Sequence, residues 1–198
     1  MLTYLAISSA RPIGAGEANA MAGHAAAYLP PLYDRKPQLE YHASDGHTHV
    51  FVWRPSLCDF APYIIENNAS LTLITGYITA HAPTEAAEIT QSLNRNTSFV
   101  DFNKPVGGMY SLFHLQKTAG EFSVVQSKSG LETVFVGQEN QLVTASNRPD
   151  IAHMGMRLGR GPSLRRDLEI DLMNTYYLID GSTHFSDLKR IDLSLIHI

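Results

Sequence analysis

Cysteine is almost absent from this sequence, since Cys58 is the only one. A single cysteine excludes a disulfide framework and any metal site built on paired cysteines, and it favours a reducing, cytoplasmic compartment. No apolar run approaches the roughly 20 residues that span a bilayer, and the start MLTYLAISSAR lacks the basic segment of a signal peptide. The sequence therefore predicts a cytoplasmic protein without a membrane partner.

An excess of charge of one sign is also lacking. The chain has 15 Lys and Arg against 19 Asp and Glu, a formal net charge of -4. This balance provides no extended basic surface for phosphates, so a nucleic-acid partner is not expected. With 198 residues the chain can bury a sizeable core. It is long enough for one domain, or for one domain and a short piece of the next.

Short runs in which apolar and polar residues alternate predict most of the strands. They lie at residues 2–7, 49–53 and 70–78. Four more, at residues 110–115, 121–125, 133–136 and 141–145, are separated by Gly or Asn and predict a four-strand antiparallel meander. Within it we expect Tyr110 and Leu112 to face the core.

Three segments have the signals of helices. Residues 17–28 are rich in alanine and precede two prolines, and residues 83–94 begin with proline and an acidic residue. Ser163 is placed to cap a third helix, in which Leu164, Leu168 and Leu172 recur every four residues as a core stripe. Strands with helices at both ends of the order predict an α+β fold.

The strand-rich region 107–153 is the most informative part of the sequence. Its stretches resemble in spacing the core of a class II glutamine amidotransferase domain, which has a Gly-x-Phe-Ala strand, Arg-Asp, Gly, Leu-Tyr-Tyr and Ala-Ser in this order. The matching stretches are Gly108-Met109-Tyr110-Ser111, Gln126-Ser127 with Gly130, Val134-Phe135 and Ala145-Ser146. Further on, Thr183-His184-Phe185 resembles the Thr-x-Phe stretch that follows the linker helix of asparagine synthetase-like proteins.

The resemblance implies an α+β fold of the N-terminal-nucleophile type, a four-layer sandwich with two antiparallel sheets between helix layers. Residues 1–155 are then the glutamine amidotransferase type 2-like domain, and residues 156–198 are the linker helix and the start of a missing asparagine synthetase domain. ATP and magnesium are expected for that ATP-dependent ligase domain, and no cofactor is expected in this chain. The family's Ser-Gly-Gly-x-Asp-Ser loop does not occur in the sequence, so we expect a longer parent protein.

The residues that this family uses to hydrolyse glutamine are changed. The N-terminal cysteine nucleophile corresponds to Leu2, which has no nucleophilic atom. The Asn-Gly pair of the oxyanion hole corresponds to Thr75-Gly76, where threonine lacks the amide donor. Glu85 matches the acidic residue that binds the glutamine amine, and Arg54 lies near the region of the carboxylate-binding arginine. The resemblance implies a vestigial pocket without a catalytic residue.

Loss of the cysteine accompanies, in this family, ligases that use an amine already present in the substrate, such as β-lactam synthetases and lasso-peptide cyclases. The implied function is a scaffold or substrate-binding wall for an asparagine synthase-related amide ligase. The implied partners are the chain's own synthetase domain, a small-molecule or peptide substrate, and a second copy in a homodimer. Two alternatives stay open: an active glutamine-hydrolysing asparagine synthase whose cysteine is missing from this sequence, and a non-enzymatic binding module.

Two other groups of residues have the side chains of reactive sites. Cys58 could act as a thiol nucleophile, but no histidine lies near it in sequence and a small buried hydrophobe is favoured. Metal-ligand types recur at close spacing in His42, Asp45, His47 and His49, with His47 and His49 on one side of a strand. Without a cysteine pair or a helical His-x-x-x-His, a polar loop that continues into a strand is favoured, and no metal is predicted.

The Gly-Arg-Gly-Pro-Ser stretch at residues 159–163 precedes the third predicted helix. Backbone N–H groups and an arginine at a helix start could bind an anion. The stretch lacks the Gly-Lys-Ser/Thr ending of a phosphate-binding loop, so a linker is favoured.

Overall fold

The computed structural model describes residues 2–55, 64–78, 108–126, 132–168, 182–191 and 196–197. These residues form two antiparallel sheets and two α-helices, which confirms the two sheets expected from the sequence. The chain divides into two compact units. The six-stranded unit comprises Leu2–Leu57 and Val134–Asp192, and the five-stranded unit comprises Cys58–Thr133 and Leu193–Ile198. Neither described helix has the length and apolar character to cross a bilayer.

The elements of the described residues follow in chain order. They are β1 (Thr3–Ser9), α1 (Ala15–Ala26), β2 (Leu39–His42), β3 (Thr48–Trp53), β4 (Ile64–Glu66), β5 (Ser70–Ile78), β6 (Gly108–Gln116), β7 (Glu121–Gln126), β8 (Phe135–Glu139), β9 (Leu142–Ser146), α2 (Pro149–Gly155), a 3-10 turn (Arg166–Leu168), β10 (Leu188–Arg190) and β11 (Ile196–His197). The strand orders are β10-β8-β9-β1-β3-β2 and β11-β7-β6-β5-β4.

The core of the six-stranded unit lies between the helices and one face of its sheet. Leu5 and Ile7 of β1 project to this face with Phe51 and Trp53 of β3, because alternate residues of a strand share a face. The facing surface of α1 consists mainly of alanines with Met21, and α2 adds Ile151 and Met154. Small side chains at helical spacing give α1 a narrow apolar stripe, which is buried against the sheet.

The five-stranded sheet is built on the long pairing of β5 with β6. Their register runs without interruption from Ser70 opposite Gln116 to Ile78 opposite Gly108. Leu112 is buried as predicted, but every residue from 111 to 115 is buried too, so both faces of β6 are covered there. Tyr110 is only half-buried. The prediction that one parity alone faces the core is therefore wrong for this strand.

The predicted four-strand meander is also wrong, although its four strands exist. β6 and β7 form a hairpin in the five-stranded sheet, whereas β8 and β9 form a hairpin in the six-stranded sheet. Gly120 and Asn140 have positive φ in the two hairpin turns, 69° and 55°, as such turns require. Local turns specify each hairpin, but the sheet that it joins depends on distant partners, such as β1 for β9.

The third predicted helix is not formed over the described residues 163–168. Leu164 makes an isolated antiparallel bridge with Phe185 and its side chain is 48% exposed. The Arg165 N–H donates to His184 O at 2.7 Å, and the Ser186 N–H donates to Ser163 O at 3.1 Å. These bonds to a distant segment replace helical ones, so the leucine stripe is not core at Leu164. Residue 172 and the predicted helix 83–94 lie outside the described residues.

Residues beyond position 155 also contribute to the six-stranded sheet. Leu188–Arg190 forms β10, which pairs antiparallel with β8. Phe185 and Leu188 pack with Ala152 and with half-buried Phe135. The boundary between a first domain and a linker at residues 155 and 156 stays a prediction.

Candidate functional site

The predicted oxyanion position lies on β5, opposite β6, inside the five-stranded unit. Thr75 is opposite Ser111 in the register, and both residues are buried. Their hydroxyl oxygens, Oγ1 and Oγ, are 2.5 Å apart, so one hydroxyl donates to the other. Thr75 also makes a side-chain hydrogen bond with Glu132. We name these three residues with Gly76 the Thr75 cluster.

Gly76 is fixed in this cluster by its backbone and by the space around it. Its φ is +83°, in the left-handed region that favours glycine. A Cβ at this position would lie 2.0 Å from the backbone O of Met109 and 2.6 Å from Cγ of Glu132. Only glycine therefore fits at position 76.

Glu132 is the member of the cluster that the sequence did not reveal. Burial raises the pKa of its carboxyl, and the hydrogen bond with Thr75 opposes that change. The residue stands just before the alternating run 133–136, and it precedes β8. No local pattern marks it, because its role depends on β5 and β6.

The chemistry open to the Thr75 cluster is limited by its own hydrogen bonds. An oxyanion hole needs donors that point at the position where negative charge develops, about 2.7–3.1 Å away. The Thr75 hydroxyl is buried and shared between Ser111 and Glu132. The cluster thus stabilises the sheet and offers no exposed side-chain donor at Thr75.

Leu2, at the expected nucleophile position, precedes β1 in the six-stranded unit. Its side chain is aliphatic, and the residue is 1% exposed. Asn147 holds this end of the strand: its Nδ2 donates to Leu2 O at 2.8 Å, and its Oδ1 accepts from the Tyr4 N–H at 3.3 Å. Asn147 directly follows the Ala-Ser stretch of the motif, a position that sequence reasoning did not use.

The predicted pocket also included Arg54 and Glu85. Arg54 follows β3, and its backbone N–H donates to Gln38 Oε1 at 2.6 Å. Glu85 lies outside the described residues, as does the candidate thiol Cys58.

His42, Asp45, His47 and His49, the four residues of metal-ligand type, bond to one another and to the backbone. His42 and His49 face each other across β2 and β3, with their Nδ1 atoms 2.8 Å apart. Since His49 Nε2 donates to Gly46 O at 3.2 Å, its Nδ1 accepts from His42 when the ring is neutral. His47 Nδ1 donates to Ser9 O at 2.7 Å, and Asp45 accepts from the His47 N–H. No three metal-ligating side chains converge in the described part of the chain.

The stretch at 159–163 is held by side chains of its own unit. The Ser163 N–H donates to Nε2 of His153 at 2.9 Å. Arg160 donates through both Nη atoms to the Glu139 carboxylate, each at 2.7 Å. Arg157 Nε donates to Gly161 O at 2.9 Å. The Arg160 guanidinium and the Ser163 N–H, two of the donors that were considered for an anion, are therefore used inside the protein.

Comparison with known proteins gives a distant structural likeness. No family model matches the sequence, and no curated protein matches it. One similar solved structure is glutamine phosphoribosylpyrophosphate (PRPP) amidotransferase from B. subtilis complexed with ADP and GMP, with a TM-score of 0.44 and 10% identity over 78% of this chain and 43% of that chain.

A second solved structure, described as the allosteric regulatory enzyme of purine biosynthesis, has a TM-score of 0.44 and 9% identity over 78% of this chain and 43% of that chain. The chain thus spans less than half the length of either protein. A likeness at this level decides neither family nor activity for this chain.

Proposed function

We propose that this chain is the glutaminase-like N-terminal domain of an asparagine synthase-related, ATP-dependent amide ligase in the cytoplasm, and that it does not hydrolyse glutamine. Its fold is then the four-layer N-terminal-nucleophile sandwich. The motif spacing between Gly108 and Ser146 and the Thr183-x-Phe185 stretch support the family. The two antiparallel sheets that the chain forms are those that such a domain needs.

The observation that carries the proposal is that the Thr75 hydroxyl is buried and hydrogen-bonded within the protein. In an active domain this position supplies an asparagine amide that donates to the oxyanion of the tetrahedral intermediate. Here a buried hydroxyl takes its place and bonds to Ser111 and Glu132. Loss of one such donor weakens transition-state stabilisation by about 3 kcal/mol, roughly a hundredfold in rate.

Leu2, at the position where the family resemblance expects the nucleophile, also supports the proposal. Nucleophilic catalysis in this family needs a thiol and a neighbouring α-amine to take its proton. An isobutyl side chain forms no acyl-enzyme, and this one is buried. The domain then acts as a scaffold or substrate-binding wall. The missing domain, with ATP and magnesium, would activate a carboxylate of the small-molecule or peptide substrate, and an amine of that substrate would capture it.

An assay of glutamine hydrolysis tests the inactive state. Purified chain is incubated with glutamine, and glutamate is measured against a heat-killed control. We expect no release above that control. Release that disappears in the Cys58→Ala variant would identify a cysteine-dependent glutaminase and overturn the proposal.

Sequencing of the genomic locus tests the parent protein. We expect the reading frame to continue past Phe185 into a domain with a Ser-Gly-Gly-x-Asp-Ser-like loop. A stop codon close to position 198, without such a loop, would favour a non-enzymatic binding module. A cysteine codon directly after an upstream start would favour an active glutamine-hydrolysing synthase.

A further inference from the structure

A cleft of about 380 Å³ opens in the six-stranded unit. Its walls come from the end of β1, the first turns of α1, the β8–β9 hairpin and the loop that follows α2. This volume lies at the lower end of the roughly 300–1,000 Å³ of small-molecule sites. The Thr75 cluster belongs to the other unit, so the cleft is a separate feature of the chain.

Part of the lining of the cleft is apolar, and Ser9, Asn140 and Gln141 add uncharged polar groups to it. Ile13, Met21 and Met156 are buried residues, and Leu142 is half-buried beside them. Leu158, also a lining residue, is 43% exposed. Methionine side chains adapt to the shape of what they contact. An apolar group placed here would leave water for a flexible hydrocarbon and thioether surface, which is favourable.

The charged residues of the cleft form two ion pairs of different strength. Arg160 and Glu139 make a bidentate pair, and Arg160 Nη2 also donates to Met156 O at 3.3 Å. Its two hydrogen bonds hold the Arg160 and Glu139 side chains in place at the edge of the cleft. Arg11 and Glu17 make a single contact at 3.1 Å, with side chains 67% and 42% exposed. An exposed single contact contributes little to stability, so a ligand can replace it at small cost.

We propose that this cleft binds a free α-amino acid with an apolar side chain, whose carboxylate pairs with Arg11 and whose ammonium group pairs with Glu17. The two charges of an amino acid lie on one carbon, which suits a guanidinium and a carboxylate that are themselves in contact. The four charged lining residues sum to zero, so a zwitterion fits better than an anion or a cation. The side chain then lies against Ile13, Met21 and Met156.

Titration with L-methionine, followed by amide chemical shifts of the labelled chain, tests the site. We expect saturable shifts at residues 9–21 and 139–160. Methionine methyl ester lacks the carboxylate and 4-(methylthio)butanoate lacks the amine, so each should bind at least about tenfold more weakly. L-Glutamine should also bind more weakly, because its amide would leave water for the hydrocarbon and thioether surface of Met21 and Met156.

Variants of the two exposed residues identify the groups that bind. Arg11→Gln should weaken the binding of L-methionine about tenfold and leave the binding of its methyl ester unchanged. Glu17→Gln should also weaken the binding of L-methionine about tenfold, and it should leave the binding of 4-(methylthio)butanoate unchanged. Arg165→Gln is the matched control, since Arg165 forms an exposed pair with Asp167 and does not line the cleft.

Three results would overturn the proposal. They are the absence of saturable shifts with L-methionine, equal binding of L-methionine and its methyl ester, and an equal loss of affinity in Arg165→Gln. Tighter binding of glutamine, with shifts confined to the five-stranded unit, would also contradict it and point to the Thr75 cluster instead.

Discussion

The Thr75 cluster and the cleft beside α1 both contain polar side chains, which are buried in the cluster and exposed in the cleft. In the cluster, the Thr75 hydroxyl bonds to the Ser111 hydroxyl and to the Glu132 carboxyl, and Thr75 and Ser111 are 2% and 1% exposed. In the cleft, Arg11 and Glu17 share one contact, and their side chains are 67% and 42% exposed. Buried polar groups must find partners inside the protein, whereas exposed ones lose little when they change partners.

This difference separates a motif position from a binding site. Thr75-Gly76 is where the sequence motif expects chemistry, yet the hydrogen-bonding capacity of Thr75 is used within the fold. The cleft has no motif, but its exposed charges are free to exchange one partner for another. Substitutions in the two regions should therefore have very different effects on stability.

The largest effect is expected for Gly76→Ala, which breaks the Thr75 cluster. The new Cβ would meet the Met109 O at 2.0 Å, at a φ of +83°. Left-handed strain and overpacking together should lower the free energy of unfolding by about 4 kcal/mol. Gly23→Ala is the control, since nothing lies within 4 Å of its Cβ in α1, and it should stabilise by about 0.5–1 kcal/mol.

Urea denaturation of the two glycine variants measures this difference. If Gly76→Ala unfolds at the midpoint of the parent, the close approach of β5 to β6 at Met109 is wrong. A variant too unstable to purify, beside a soluble Gly23→Ala, would agree with the expected strain.

Leu112→Ala should have the next largest effect. Leu112 follows Ser111 on β6 and is 2% exposed, and truncation of a buried leucine costs about 2–5 kcal/mol. Gln116→Ala, at the end of the same strand and half-buried, should change stability by less than about 0.5 kcal/mol. Thermal melting of both variants provides the measurement. Equal midpoints would contradict the burial of β6.

The hairpins show what the sequence could and could not predict about this fold. β1, α1, β3 and β5 were predicted because their residue patterns are local, although β1 and β3 are buried on both faces and not on one. The meander was wrong, since the alternation in β7 and β8 says nothing about the neighbours of either strand. The short elements β2, α2 and β10 were missed because three to seven residues provide too little periodicity.

The vestigial pocket stays a prediction. Motif spacing singled out Thr75 and Gly76, and the positive φ of Gly76 explains why glycine stands there. Ser111 belongs to a matched stretch, but its bond to Thr75 depends on the β5–β6 register. Glu132 and Asn147 could not be predicted, because each acts on a strand that is distant in sequence.

Acid should destabilise the closed interior of the five-stranded unit through His114. Burial lowers the pKa of His114 to about 4, and its Nδ1 lies 2.9 Å from Thr72 Oγ1. The unfolded chain takes up this proton near pH 6.5, whereas the folded chain resists until about pH 4. His114 therefore does not lower the free energy of unfolding above pH 6.5, and it lowers this free energy by roughly 2 kcal/mol at pH 5.

Comparison of the parent with His114→Gln isolates this contribution. The variant cannot take up that proton, so its free energy of unfolding should fall less steeply between pH 6.5 and pH 5. Parallel pH profiles for the two proteins would contradict the lowered pKa.

Thr75→Val tests how much the hydrogen bond between Thr75 and Ser111 contributes to stability. Valine keeps the shape of threonine but cannot bond to Ser111, whose hydroxyl is buried. The free energy of unfolding should fall by about 1–2 kcal/mol. The double variant with Ser111→Ala removes both hydroxyls and should lose less than the sum of the single variants. Additive losses in chemical denaturation would show that the two hydroxyls do not interact.

The smallest effect on stability is expected in the cleft, for Arg11→Gln. Arg11 is 67% exposed and contacts Glu17 once, and exposed pairs of this kind contribute about 0–1 kcal/mol, less at high salt. We expect a change below about 0.5 kcal/mol at physiological salt, although the same variant should weaken L-methionine binding. A loss as large as that of Thr75→Val would mean that Arg11 supports the fold and is not available to a ligand. Denaturation of both variants at low and high salt decides between these outcomes, because only an exposed ion pair is screened.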